Sequence, residues 1–324
     1  MKAIQLGLGV FGNGWYVKMK QEHPEIELTV VDRNEKMKER LISPNDKFYT
    51  SLEDALAAER PDFILNVTPP AAHDAVNALA FAHKLPVLCE KPISDNYIEA
   101  RRLVNLASRE NLPFVIAEPY RRNTVFRTLR RLLLQEGRIG KITNVFIDFH
   151  IQYRNPKEYL TKLLKDPMLE DLSIHHLDAL RCITGANGLS VYATSFNPEE
   201  SWFVGNACAS ALIEMENNIR VCMNGSLVSR GFHTGFYGLW RIEGTEGSIS
   251  LCNDVISIQN ADGLTVISEY PDLPEIDMID EFVNYIQNGV KPESTASDYI
   301  HSQAIVYGAQ QSNAQKRLIA LDTL

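Results

Sequence analysis

Gly7-Leu8-Gly9-Val10-Phe11-Gly12 follows a short apolar run, Ala3 to Leu6, and opens a stretch with helical character. Three glycines at this spacing, between strand and helix, have a mechanical reading. Gly7 permits a tight turn, Gly9 has no side chain to keep the backbone away from a pyrophosphate, and Gly12 lets helix and strand pack closely. The helix start then offers N–H groups and a partial positive charge to phosphate oxygens. Val10 and Phe11 complete the turn. A dinucleotide site at the N-terminal end of the chain is the first expectation.

Working outward, Asp32 ends a second apolar run, about twenty residues beyond Gly12, where an acid meets the adenosine ribose in such sites. A carboxylate accepts both ribose hydroxyls and repels a 2′-phosphate, which favours NAD. Arg33 follows it and is suited to the 2′-phosphate of NADP, so that cofactor stays open.

Further apolar runs recur at Phe63 to Val67, Val87 to Cys89 and Phe114 to Ala117. Each is short and rich in Val, Ile, Leu and Phe, as strands buried on both faces are. Helical segments lie between them. One begins at Ser51-Leu52-Glu53-Asp54, which has the form of a capping box, and another covers His73 to His83. Strands alternating with helices predict an α/β, doubly wound parallel sheet over residues 1–121. A helix with apolar Val125, Leu129, Leu132 and Leu133, ended by Gly137, marks the junction.

The remainder, 122–324, has a different period. In Ile142 to Gln152, Val145, Ile147, Phe149 and Ile151 alternate with Asn144, Asp148, His150 and Gln152, the mark of a half-buried strand. Ala207 to Met215 and Ile219 to Leu227 flank Asn217-Asn218, a pair suited to a tight turn. More short strands follow before helical periodicity returns at Ile279. This predicts an α+β domain with a mostly antiparallel sheet, whose C-terminal helices are free to pack back on the first domain.

Composition narrows the function. The 324 residues carry a net charge of −9, 45% hydrophobic and 23% charged residues, which excludes a disordered or fibrous chain. An acidic surface argues against nucleic acid as a partner. Arg127, Arg130 and Arg131 form one basic helix face. It is read as solvated, with a phosphate patch as the alternative. The five cysteines include no CxxC pair, so no metal site is expected. No run approaches the roughly 20 apolar residues of a membrane helix. No leader precedes Gly7, and a cytoplasmic location with no membrane partner is expected.

Two clusters carry chemistry. Cys89-Glu90-Lys91-Pro92 ends a parallel strand, and ligands sit beyond the C-terminal ends of such strands. An ammonium at Lys91 donates a hydrogen bond to a substrate oxygen and stabilises developing negative charge. Asp171 and His175 are four apart on a helical pattern, so a carboxylate stands one turn from an imidazole and steadies its protonated form. That pair suits a general base for an alcohol. His176 points about 100° away and packs.

Together these motifs resemble the Gfo/Idh/MocA oxidoreductases, the family of glucose–fructose oxidoreductase and inositol dehydrogenase. Supporting stretches are Asn66-Val67-Thr68-Pro69-Pro70 with His73, Glu118-Pro119-Tyr120-Arg121, Glu136-Gly137-Arg138-Ile139-Gly140 and Glu243-Gly244-Thr245-Glu246-Gly247-Ser248. The resemblance implies a Rossmann domain and a C-terminal domain with a large open sheet that pairs subunits, giving a homodimer or homotetramer. It implies hydride transfer between NAD(P) and a sugar, polyol or related carbonyl. Lys91 matches the lysine that touches substrate and cofactor, and Asp171 and His175 match the acid–histidine pair. Thr68 and Pro69 match the loop beside the nicotinamide ribose, with His73 and Glu90 among the cofactor residues. Pro167-Met168-Leu169-Glu170 and Ser173 depart from a glycine-rich pattern common in relatives, which leaves the sugar undefined. Tyr120, Arg121, Tyr153, Arg154 and His176 are the candidates for substrate hydroxyls. Two rival functions share the fold: glycoside cleavage by transient oxidation, and a non-catalytic dinucleotide-sensing regulator.

Overall fold

The computed structural model describes residues 1–43, 45–153, 164–271, 273 and 276–324. Arg154 lies outside them. The chain divides into two compact units. The first is Met1–Glu118 with Asp277–Ile300, and the second is Pro119–Ile276 with His301–Leu324.

The first unit is built on six parallel strands: β1 (Lys2–Leu6), β2 (Glu27–Val31), β3 (Lys47–Tyr49), β4 (Phe63–Asn66), β5 (Val87–Glu90) and β6 (Phe114–Ala117). Their order is β3-β2-β1-β4-β5-β6. The order reverses between β1 and β4, and a crevice opens at the strands' C-terminal ends at such a switch point. Helices α1 (Val10–Glu22), α2 (Leu52–Ala58), α3 (Pro70–Ala82) and α4 (Tyr97–Arg109) connect them. Ser51 caps α2 by accepting the Asp54 N–H at 3.1 Å. Strand β3 is short and only half-buried, which is why no apolar run announced it.

The sequence division at 121/122 differs from the contacts, because Asp277–Ile300 belongs to the first unit. Ile279 and Phe282 of the helix Met278–Asn288 are fully buried, and the Phe282 ring meets Phe63 edge-on at 5.4 Å. Burying these side chains recruits the helix, at about 1.5–3 kcal/mol each.

The second unit holds a nine-stranded sheet. Its strands are β7 (Ile142–His150), β8 (Gly188–Phe196), β9 (Cys208–Met215), β10 (Arg220–Ser226), β11 (Leu239–Gly244), β12 (Gly247–Cys252), β13 (Val255–Asn260), β14 (Gly263–Ile267) and β15 (Ile319–Ala320). The order is β14-β13-β12-β11-β7-β10-β9-β8-β15. Only the β10–β7 pairing is parallel. In β7 the expected alternation is present: Val145, Ile147 and Phe149 are buried, whereas Phe146 is exposed. Asn217 and Asn218 turn the chain with φ of 58° and 61°.

The junction helix α5 (Thr124–Arg130) ends in a π-helical turn, Arg131–Gln135, before Gly137 at φ 60°. A second π-helical turn, Met168–Ser173, leads into α6 (Ile174–Thr184). Among the described residues, no helix is long and apolar enough to cross a membrane.

Candidate active site

The glycine turn has the geometry its sequence requires. Gly7 sits at φ 94°, and a Cβ there would lie 2.5 Å from the Val67 carbonyl oxygen. A Cβ on Gly12 would fall 2.2 Å from the Gly7 oxygen. Both distances are inside van der Waals contact, so these two glycines serve packing. Gly9 is different: nothing lies within 4 Å of its Cβ position. It is also the N-cap of α1, has no side-chain cap, and is followed by no acid in the first turn. Open space, uncapped N–H groups and a dipole without a neutralising carboxylate fit the pyrophosphate of a dinucleotide. Val10 and Phe11 are largely exposed beside it.

The Asp32 carboxylate accepts the Leu8 N–H at 2.8 Å and the Asn34 N–H at 2.9 Å. It therefore fixes the glycine turn to the end of β2. Arg33 is exposed, and Arg40 donates to the Leu8 carbonyl at 2.8 Å. Gln5, fully buried in β1, donates to the carbonyls of Gly7 (3.0 Å) and Gly12 (2.7 Å). Its place among apolar strand residues was the one sign of this role, since a buried amide must find partners.

The loops after β4 and β5 are cross-linked. Asn66 accepts from the Thr68 N–H (3.2 Å) and hydroxyl (2.6 Å) and donates to Asn77 at 2.8 Å. His73 is fully buried, with its ring nitrogens 2.7 Å from the Pro92 carbonyl and 2.9 Å from the Thr68 carbonyl. Burial lowers its pKa, against the two carbonyls that favour the protonated ring. His73 thus ties the Thr68-Pro69 loop to the loop after Lys91. Glu90 accepts the Trp15 indole N–H at 2.7 Å and the Lys91 backbone N–H at 3.2 Å. Lys91 is half-buried.

In the second unit α6 is buried around its whole circumference, not only on its leucine side. From Leu172 to Thr184, His175 alone is not buried. Asp171 is also half-buried and lies in the π-helical turn, which Ser173 closes by donating to the Met168 carbonyl at 2.8 Å. Single π turns inside helices are frequent at functional sites. The buried charges of α6 are paired: Asp178 takes the Arg121 Nε at 2.5 Å and the Ser302 hydroxyl at 2.5 Å.

That pairing changes the picture of the substrate candidates. The Arg121 guanidinium is engaged by Asp178 and is buried, so it holds the fold rather than meeting solvent. Tyr120 is buried too, with its ring stacked on His175 at 5.0 Å and on Phe126 at 5.3 Å. His176 packs against Phe149 at 4.5 Å and is fully buried. Tyr153 is half-buried, and its carbonyl accepts the Trp202 indole N–H at 2.8 Å.

Elsewhere, ligand atoms of Glu22, His23 and Asp277 lie within 4.8 Å of one another. The Lys18 ammonium already sits 2.8 Å from Glu22 and 2.6 Å from Asp277. It supplies the positive charge a metal ion would bring.

Known proteins carry the same architecture. Residues 2–117 match the model of an oxidoreductase family with an NAD-binding Rossmann fold, and residues 126–250 match the GFO/IDH/MocA C-terminal domain. The chain belongs to the Gfo/Idh/MocA family. It is an NAD-binding oxidoreductase. D-apiose dehydrogenase of Paraburkholderia graminis is 23% identical over 86% of the chain and 78% of that protein. Inositol 2-dehydrogenase of Rhizobium meliloti is 24% identical over 82% of each. Among solved structures, an Agrobacterium radiobacter oxidoreductase in complex with NAD+, L-tartaric acid and magnesium superposes with a TM-score of 0.89. It shares 20% identity over 100% of this chain and 99% of its own.

Proposed function

We propose that this enzyme moves a hydride between NAD and a sugar, polyol or related carbonyl compound, with Lys91, Asp171 and His175 as its working side chains. The carrying observation is the accessibility of His175. On a segment buried from Leu172 to Thr184, one imidazole remains half-exposed. Asp171, also half-buried, precedes it in the π-helical turn.

Bound nicotinamide supplies the hydride acceptor in one direction and the donor in the other. The protein's share is proton transfer and charge stabilisation. His175 takes the hydroxyl proton of an alcohol as the carbon is oxidised, and returns it on reduction. Asp171 stabilises the imidazolium that forms. Lys91 donates a hydrogen bond to a substrate oxygen and offsets its negative charge. Gly7 to Gly12 and Asp32 hold the dinucleotide, beside Thr68 and Pro69. The substrate class is supported by relatives named for D-apiose and inositol, both polyhydroxylated.

The test is a panel of sugars and cyclitols followed at the NADH absorbance with NAD and with NADP, then kinetics of His175→Ala, Lys91→Ala and Asp171→Asn. Each is expected to lower kcat by about 10²–10⁴-fold while NAD still binds. Near-wild-type turnover in these variants removes the roles.

We also infer a homodimer or homotetramer formed through the outward face of the nine-stranded sheet. Tyr192, Leu212, Cys222, Phe146 and Arg241 make one row across five strands. Tyr192, Leu212 and Phe146 are large, apolar and exposed. Light scattering that finds a monomer at every concentration overturns this.

A further inference from the structure

We infer that Trp15 is a positioning residue, which couples the dinucleotide-binding helix to Lys91 through the Glu90 carboxylate. The inference rests on the proposed role of Lys91. Trp15 and Glu90 are 75 positions apart in the chain, and the indole N–H reaches the Glu90 Oε1 at 2.7 Å. The second oxygen, Oε2, accepts the backbone N–H of Lys91 at 3.2 Å. The carboxylate is therefore held at both ends, by α1 on one side and by the lysine's own peptide on the other. A hydrogen bond to an ionised acceptor is about twice as strong as a neutral one.

The direction of coupling follows from where Trp15 sits. Helix α1 begins at Gly9 with an uncapped N-terminus, so an anionic ligand at the glycine turn acts on this helix first. Trp15 lies on the same helix, four residues after the exposed Phe11. It is half-buried against the core of the first unit, and the polar edge of its ring reaches the carboxylate. A tryptophan retained only for packing gains little from a carboxylate partner at the end of β5. A rigid donor that fixes the residue before Lys91 does gain, because a side chain already aimed at substrate loses less entropy on binding. Removing the indole N–H leaves Glu90 one fixed partner and frees its charge to swing toward the Lys91 ammonium.

The test reads Lys91 directly and needs no substrate. The whole enzyme is acetylated with N-hydroxysulfosuccinimide acetate, with and without saturating NAD, and Lys91 modification is timed by mass spectrometry. The proteins are wild type, Trp15→Phe and Glu90→Gln. In the wild type NAD changes the Lys91 rate by about tenfold, the equivalent of one hydrogen bond to a charged group. In both variants the NAD response falls below about twofold, while the NAD affinity of Trp15→Phe by calorimetry stays within the same margin.

An unchanged NAD response in a folded Trp15→Phe protein overturns the inference, as does a wild type whose Lys91 ignores NAD. Loss of NAD binding itself in Trp15→Phe overturns it too, by making Trp15 a cofactor contact. Should that variant fail to fold, Glu90→Gln decides, since its amide keeps an acceptor for the indole but cannot accept at both ends. The reading of Lys91 fails separately: Lys91→Ala would then turn over substrate normally, whatever the labelling shows.

Discussion

The ring of Tyr120 stacks on His175 with centroids 5.0 Å apart and planes 24° from parallel, and it also stacks on Phe126 at 5.3 Å. The accessible imidazole is thus backed by two rings of a buried aromatic stack. Its orientation depends on that backing as much as on Asp171. An aromatic pair contributes about 0.5–1.5 kcal/mol beyond its buried area. Tyr120→Leu is therefore expected to reduce kcat by about 2- to 10-fold with NAD affinity unchanged. Tyr120→Phe keeps the stack, loses the hydroxyl bond to the Phe236 carbonyl, and should stay near wild type. Steady-state kinetics and calorimetric NAD binding check both.

Gly9 and Gly12 should separate binding from folding. Gly9 has φ −65° and open space at its Cβ position, so Gly9→Ala folds with an unchanged Tm. The added methyl stands where a pyrophosphate must approach, and NAD affinity is expected to drop by about tenfold or more. Gly12→Ala places a methyl 2.2 Å from a backbone oxygen that cannot yield. It should lose about 1–3 kcal/mol of stability by overpacking, read as a lower Tm without any ligand present.

Arg121→Ala takes from the fully buried Asp178 carboxylate its short guanidinium bond and leaves it Ser302 and the Arg181 guanidinium at 3.8 Å. Breaking one side of such a pair costs about 3–5 kcal/mol. The variant is expected to melt well below wild type while binding NAD normally at low temperature. Loss of substrate affinity with an unchanged Tm would instead make Arg121 a substrate residue.

Burial raises the pKa of the Glu170 carboxyl above its ordinary 4.5, and the nearby Asp166 carboxylate adds to this. The folded state then holds the proton more tightly than the unfolded chain does. As pH rises through and above that ordinary value, the unfolded state ionises first, so this group's contribution falls with pH. Glu170→Gln cannot ionise and retains an acceptor for the Gln310 amide, which donates to Glu170 at 3.0 Å. Its Tm is expected to exceed wild type at pH 8 and to converge with it near pH 4. Melting curves across that range check the crossing.

Periodicity made the parallel sheet legible, because β1, β4, β5 and β6 are short runs that are mostly apolar, with Gln5 the polar residue inside β1 and Asn66 and Glu90 at strand ends. β3 escaped because an edge strand of three half-buried residues has no pattern to show. Asp178 and Arg181 are charged residues buried in α6, and their partners include Arg121 and Ser302, distant in the chain, and Asn187 nearby. Distance in the chain hid Trp15: its hydrogen bond closes a loop of 75 residues. The glycine turn was local, so its backbone geometry was legible in the sequence.

Asp32, proposed above to hold the dinucleotide, also anchors the amides of Leu8 and Asn34. Selection for NADP cannot delete that acid without loosening the phosphate cradle. A lineage changing its coenzyme must first acquire a second brace for the amides, so preference for NAD is inherited together with structural integrity.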